Sequence, residues 1–308
     1  MRIVVLAGGT GSAKLLRGLQ GEVEEFTVIS NVGDNFWHKG LFICPDIDIA
    51  LYTLAGVADT VKGWGIEKDT FNVLAQLAAL GEETWFGLGD KDLATHIFRT
   101  VQLSRGRRLG AVTSDLARRL GVRQDVMPCT DDSLETHVVT IEEGVEETLH
   151  LQEFWVRKRG QPEVKDVVYV GAEKAVANPK ALAALEAAER IILCPANPVT
   201  SILPILAVRG FRDAIENSKA RRVAVSPMIG FGPVSGPAGK MMKGLGHGSD
   251  SLSVARLYKG LLDCMIIDSS DAIQKGAIER EGTQVSLGST LMSNREKERE
   301  LASSVLSA

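Results

Sequence analysis

The sequence predicts an α/β protein: a Rossmann-like, doubly wound, mostly parallel sheet with a small antiparallel β/α insertion. Three observations predict it. Short β-branched runs alternate with helical patterns along most of the chain, which places helices on the faces of a parallel sheet. The first run, Ile3–Ala7, leads straight into Gly8-Gly9-Thr10-Gly11-Ser12 and then a helix. Between Val122 and Gly160 the texture changes to short extended segments separated by turn residues. The core is therefore assigned to residues 1–120 and 161–308, and a β-rich insertion to 121–160.

Ile3–Ala7 is continuously apolar, as a strand buried on both faces must be. A helix from Ala13 to Gln20 follows, with Leu15, Leu16 and Leu19 on one face. Phe26–Ser30 reads as the second strand and Asn31–Lys39 as a loop. Asp46–Leu54 reads as a helix with acidic residues where the dipole favours them. Asp69-Thr70 is expected to cap a helix carrying Phe71, Leu74, Leu77 and Ala78, which Gly81 ends. Asp92–Leu103 and Thr113–Leu120 have helical spacing. Val126–Pro128, Glu135–Ile141, Glu147–Phe154 and Trp155–Lys158 look extended and form the expected insertion. Alternation then resumes. Val167–Tyr169, Arg190–Cys194, Arg222–Ser226, Cys264–Asp268 and Thr283–Ser286 read as strands. Pro179–Glu189, capped by Asn178, reads as a helix, as do Ser251–Leu262, Asp271–Arg280 and Asn294–Leu306.

Composition removes several function classes. Hydrophobic residues make up 44% of the 308 and charged residues 24%, ordinary for a globular chain. Lys plus Arg is 35 against 39 Asp plus Glu, so the net charge of −4 lacks the basic footprint of a nucleic-acid binder. No apolar stretch approaches the roughly 20 residues of a membrane span. The short apolar run before Gly8 reads as a strand, not a signal peptide. Cys44, Cys129, Cys194 and Cys264 are scattered, with no CxxC pair, which fits a reducing, cytoplasmic setting.

Three predicted strands end in loops with unusual chemistry, and in an open parallel sheet ligands sit outside the carboxyl ends of strands. Gly8, Gly9, Thr10 and Gly11 bring backbone N–H groups to a helix start, where an anion binds; Lys14 adds charge. The alternative is a tight turn with no ligand. The turn lacks both the G-x-G-x-x-G spacing and the G-K-[ST] ending. Asn31-Val32-Gly33-Asp34-Asn35 suits a ribose, a metal or an alcohol, or is an Asx turn. Asp46 and Asp48 are hard-oxygen ligands of the kind that suits Mg²⁺, a general base for an alcohol, or merely a helix cap and dipole partner. His96, on a helix, reads first as structural. Asn197 is held between prolines, and Thr200 or Ser201 can cap the helix after it. The glycine- and proline-rich stretch Pro227–Lys240 suits a phosphate nest or is a surface loop. Trp37, Trp64, Trp85 and Phe86 can stack on a flat heterocycle or simply fill a core. The residues alone describe a phosphate-handling enzyme with carboxylate-bound magnesium, and leave the substrate open.

Together these loops resemble a known family. AGGTGSAKLLRGL, SNVGDNFWHKGLFICPDIDIALYTLAG, TWFGLGDKDLATHIFRT, LQEFWVRKRGQP, CPANPVTSILPIL and VSPMIGFGPVSGPAGKMM are similar, in order and along nearly the whole chain, to the 2-phospho-L-lactate transferases of the CofD/FbiA type. FWHKGL and TWFGLGD look more bacterial than archaeal. The resemblance implies an enzyme of coenzyme F-420 biosynthesis. It would move a phospholactyl or phosphoenolpyruvyl group from a GDP-linked three-carbon acid to the ribityl hydroxyl of the deazaflavin Fo. GMP leaves, Mg²⁺ is required, and a homodimer is expected. It further implies deazaflavin contacts at Asp48 and Lys91, with Asp90 and Trp37 as further candidates. It assigns the GDP moiety to Gly8, Gly9, Thr10, Gly11, Lys14, Asn197, Thr200, Ser235, Gly236 and Gly239. Asp46 and Asp48 carry catalysis, and Asp34, Asp46 and Asp48 the metal. A related group of nucleotide-sugar-binding regulators opens with the same GGTG but has an acidic, glycine- and serine-rich loop after its second strand, where this chain has NVGDNFW and PDID. A nicotinamide oxidoreductase is disfavoured because Ser30-Asn31 offers no acidic residue to a ribose.

Overall fold

The computed structural model describes residues 1–308. In chain order, β1 (Ile3–Ala7) and β2 (Thr27–Ser30) precede a hairpin of β3 (Phe36–His38) and β4 (Leu41–Ile43). Then come β5 (Asp125–Pro128), β6 (Glu135–Glu142), β7 (Val145–His150) and β8 (Glu163–Val170). The remaining strands are β9 (Arg190–Leu193), β10 (Arg221–Val225), β11 (Met228–Ile229), β12 (Gly232–Pro233), β13 (Cys264–Asp268) and β14 (Gln284–Gly288).

Seven strands form the central sheet in the order β14-β13-β10-β9-β1-β2-β5, and every pairing in it is parallel. From β1 the chain winds outward through β2 and β5, then returns to lay β9 on the other side of β1. The strand order thus reverses between β1 and β9, and this reversal opens a crevice at their carboxyl ends. All five residues of β1 are buried. Residues from both faces of the sheet join one apolar core of 72 buried residues. The four cysteines are free and buried within it, and no helix is long and apolar enough to cross a membrane.

The antiparallel sheet β7-β6-β8 is present but displaced from the expected boundaries. It runs from Glu135 to Val170, whereas β5 belongs to the central sheet, pairing Val28 with Val126. An apolar extended run looks the same in either kind of sheet, so its partner is invisible in sequence. Glu147–Phe154 and Trp155–Lys158 also differ from expectation. β7 stops at His150, and Glu153–Arg157 coils into a short π-helix closed by Lys158 N–H on the Glu153 carbonyl (2.8 Å). The expected loop Asn31–Lys39 contains β3, half of a hairpin.

Helix α1 (Gly9–Gln20) starts inside the glycine turn, and α2 (Pro45–Leu54) starts at its proline. The helices α3 (Asn72–Ala79) and α4 (Asp90–Ser104) exchange caps. Asp69 does not cap α3. Its carboxylate accepts from Lys91 N–H (2.8 Å) and Asp92 N–H (3.0 Å) at the start of α4. Asp90 in return accepts from Asn72 N–H (3.1 Å) and Val73 N–H (3.0 Å) of α3. Each aspartate satisfies donors that the partner helix leaves orphaned. Replacing Asp69 with Ala should cost about 1 kcal/mol. Urea denaturation will read this as a lower midpoint with an unchanged slope.

Candidate active site

Two adjoining cavities open over the reversal point. The first, about 220 Å³, is walled by the Gly8–Gly11 turn after β1, the Pro195–Ser201 segment after β9 and the Val234–Ala238 stretch after β12. The second, about 570 Å³, lies between α2, α4 and the aromatic segment around Trp85. Gly9, Thr10, Asp34, Gln152 and Trp155 line both, so they are two chambers of one cleft.

Close packing explains the glycines of the first turn. A β-carbon on Gly8 would lie 2.6 Å from Asp46 Oδ2 and 2.7 Å from Ser201 Cβ, and one on Gly11 would overlap the Pro195 carbonyl. Gly8 N–H donates to Ser12 Oγ (2.9 Å) and Gly9 N–H to Asp46 Oδ1 (2.7 Å). The first-turn N–H groups of Thr10 and Gly11 have no intrahelical acceptor, which suits an anion in the first cavity. Lys14 is the one Lys or Arg lining either chamber, with Nζ 3.1 Å from the Met292 carbonyl. Asn197 Oδ1 accepts from Val199 N–H (3.0 Å) and Thr200 N–H (3.4 Å), stiffening the segment, while its Nδ2 has no partner in the chain. Thr200, Ser235 and Gly236 line the same chamber. Gly239 does not. It sits in the helix Ala238–Gly244, where Ser249 Oγ donates to its carbonyl. Lys240 turns away to the Gly160 and Gln161 carbonyls.

At the junction, Asn31 holds two carboxylates. Its Nδ2 lies 3.0 Å from Asp34 Oδ1, 2.8 Å from Asp46 Oδ2 and 3.0 Å from the Thr200 carbonyl. Gln152 Nε2 reaches Asp34 from the other side (3.3 Å). No Lys, Arg or His pairs with Asp34 or Asp46. Burial pushes Asp46 up to about 6, against the bonds from Asn31 and Gly9. Burial and the neighbouring Asp46 hold Asp34 well above the usual carboxylate range.

Asp48 lines the second cavity but stands apart from that pair. The fully buried Arg99 grips it, Nη1 donating to Oδ2 (3.0 Å) and Nη2 to Oδ1. Burial is the largest influence on Arg99 and opposes its charge, but the groups around it, Asp48 foremost and then Cys44 and Tyr52, together outweigh it and hold the guanidinium protonated. His96 completes the cluster, Nδ1 3.6 Å from Asp48 and Nε2 3.2 Å from Asp92, and Tyr52 Oη donates to Asp92 (2.7 Å). The expectation that Asp34, Asp46 and Asp48 form one metal cluster is thus corrected: Arg99 already neutralises the third. No group of three His, Cys, Asp or Glu side chains is placed to hold a metal.

Three expected deazaflavin contacts lie outside both chambers. Side chains alternate along β3, so Phe36 faces Phe86 (ring centroids 5.0 Å) while Trp37 is thrown to the opposite side, 60% exposed against Phe42. Lys91 Nζ donates to the Lys68 carbonyl, and Asp90 is spent on the α3 cap. Trp64, Trp85, Phe86 and Trp155 supply the aromatic wall instead. Sequence reasoning missed Gln152, Trp155 and Arg99. The first two fall in a segment read as extended. Arg99 was findable, because Asp92, His96 and Arg99 fall at i, i+4 and i+7 on one helix face.

A family model described as 2-phospho-L-lactate transferase CofD matches residues 3–306. The chain belongs to that family. A 2-phospho-L-lactate transferase of Methanosarcina mazei is 40% identical over 99% of this chain and 100% of its own length. A phosphoenolpyruvate transferase of Streptomyces griseus is 45% identical over 91% of this chain and 88% of its own. A crystal structure of a member of the UPF0052 family from Bacillus halodurans superimposes with a TM-score of 0.67 at 19% identity, covering 99% of this chain and 98% of that one, and shows the shared fold. The transferase family and the α/β architecture expected from sequence both stand.

The raised Asp46 carboxyl makes a signed prediction. The folded state binds its proton more tightly than the unfolded state, so the contribution to stability is full below about pH 4 and is lost as pH rises to about 6. In chelator, Asp46→Asn should therefore gain stability relative to the parent over that window, by about 2 kcal/mol. Parallel thermal melts across the window check it; a constant offset would contradict it.

Proposed function

We propose that this protein transfers a phospholactyl or phosphoenolpyruvyl group from a GDP-linked donor to the terminal ribityl hydroxyl of the deazaflavin Fo, in coenzyme F-420 biosynthesis. The donor is lactyl-2-diphospho-5'-guanosine or enolpyruvyl-2-diphospho-5'-guanosine. The observation that carries the reading is the two-chamber cleft, whose halves differ in chemistry and share Gly9, Thr10 and Asp34 at their border. The first chamber, with helix-start N–H groups and Lys14, suits a diphosphate. The second, with Trp64, Trp85 and Phe86, suits a flat tricyclic ring.

In the reaction the ribityl oxygen bonds to the phosphorus that bears the acid. The P–O bond to the GMP phosphate breaks, and the hydroxyl proton leaves. Asp34 and Asp46 form an acidic pair with no protein cation, whose raised carboxyls a bound cation would favour in their ionised form; this fits Mg²⁺ held by two carboxylates and completed by substrate phosphate. When bound there, Mg²⁺ would neutralise charge on the transferring phosphoryl group. The N–H groups at the start of α1 stabilise the same charge. Arg99 engages both oxygens of Asp48, leaving that carboxylate to accept a hydrogen bond from the acceptor rather than carry its proton. Burial raises both carboxyls, but no cation of the chain engages Asp46, which makes it the better placed of the two for proton removal.

Incubation with Fo, the GDP-linked donor and Mg²⁺ should give GMP and a product heavier than Fo by the transferred group, read by mass spectrometry. Binding of both substrates without GMP release would reduce the protein to a sensor. Asp46→Asn should lower kcat about 10²–10⁴-fold. Asp48→Asn should act chiefly on the KM for the acceptor, and an equal fall in kcat would return Asp48 to proton transfer.

A further inference from the structure

One buried titratable group beside the cleft has no part in the chemistry derived so far. His150 ends β7, is buried, and stacks on Phe36 (ring centroids 5.2 Å, planes 26° apart). Both of its ring nitrogens are spent on backbone. Nδ1 accepts from Gln152 N–H (3.1 Å), and Nε2 lies 3.3 Å from the Asn35 carbonyl. A donor facing Nδ1 and a carbonyl facing Nε2 fix the neutral ring with its proton on Nε2. Burial favours the same neutral form, against the nearby Glu135 charge. The imidazolium would set Nδ1–H against Gln152 N–H, donor against donor. His137 packs edge-on at 5.6 Å and turns its own Nε2 to Glu135 (2.9 Å).

The two backbone groups that His150 holds flank Asp34. Asn35 follows Asp34 in the chain, and Gln152 Nε2 donates to Asp34 Oδ2 (3.3 Å). Asp34 Oδ1 faces Asn31 Nδ2 (3.0 Å). Each oxygen of Asp34 thus meets one neutral amide donor. Such donors fix the orientation of a carboxylate and leave its charge for a cation to meet, as groups behind a metal ligand do. Gln152 comes from the insertion and Asp34 from the loop after β2, and the imidazole ties the two segments directly.

We propose that His150 is a positioning residue for the transfer: its neutral imidazole seats Gln152 so that the Gln152 amide orients Asp34 within the acidic pair. This rests on reading Asp34 and Asp46 as the reacting pair. It adds a residue that lines neither chamber and acts only through Gln152.

The test is a double-mutant cycle between His150→Phe, which keeps a stacked ring and removes both hydrogen bonds, and Gln152→Ala, which removes the amide. It is read as kcat of GMP release and, separately, as Mn²⁺ affinity with GDP present, from the paramagnetic signal of the free ion. His150→Phe should lower kcat and Mn²⁺ affinity about 10–100-fold. With Gln152→Ala already in place the same change should do little more, because the two residues act as one unit. His150→Asn, whose Oδ1 can accept from Gln152 N–H, should recover most of the loss. His150→Gln, which reaches toward Asn35 instead, should not. In the parent, nitrogen NMR of histidine-labelled protein near neutral pH should show His150 as the neutral Nε2–H tautomer, assigned by its disappearance in His150→Phe. Losses that multiply in the double variant, a His150→Phe enzyme within about twofold of the parent, or a ring protonated on Nδ1 would each overturn the proposal. Absence of GMP release from the parent would instead remove the transfer reading, and the Mn²⁺ cycle and the tautomer would still decide the role of His150.

Discussion

The carboxamide of Asn31 sits where three segments of chain meet, with Asp34 from the loop after β2, Asp46 from α2 and the Thr200 carbonyl from the segment after β9 all within 3.0 Å of its Nδ2. Two hydrogens serve three acceptors, so the arrangement is short of donors and rich in negative charge. Removing two carboxylates from water is costly unless something neutralises them. Here nothing in the chain does. The site carries an electrostatic deficit that a substrate-bound cation would relieve, and the raised Asp46 carboxyl is its signature.

That constraint explains the packing around it. Gly8 has no room for a side chain because Asp46 and Ser201 press against it. The first turn of α1 is thereby fixed against both α2 and the Pro195–Ser201 segment. Its N–H groups are held toward the first chamber without reorganisation, as charge stabilisation in a reaction requires. The insertion completes the cleft from outside the sheet, its Gln152 reaching Asp34 and its Trp155 spanning the two chambers. The sheet places the glycine turn after β1 and the segment after β9, the insertion closes over them, and the division of chemistry between the chambers follows.

Neighbouring aspartates with similar sequence settings end in different roles. Asp46 and Asp48 are two residues apart on α2, yet one stays without a cation and the other is clamped by Arg99, 51 residues away. Asp90 and Asp92 are equally close, and one caps α3 while the other lines the second chamber. Which role each takes depends on what approaches from a distant part of the chain. Trp37 fails as a contact for the opposite reason, since its local strand geometry decides and turns it away.

Much of the architecture was legible because it is local. The continuous apolar run Ile3–Ala7 followed by glycines, the strand–helix alternation and the loops after β1, β2 and β9 are properties of short segments, and parallel-sheet topology brings such strand ends to one edge. The ordered motif blocks likewise carried the family. Pairing and proximity at long range were not legible. No local pattern distinguishes the parallel edge strand β5 from an antiparallel one, shows Arg99 behind Asp48, or says that Asp69 and Asp90 exchange helices. By itself the sequence determined the strand–loop–helix units and the kinds of chemistry they can do. Only the tertiary structure decided which carboxylates are neutralised and which are left exposed to substrate, because charge compensation depends on groups that are neighbours in space and strangers along the chain.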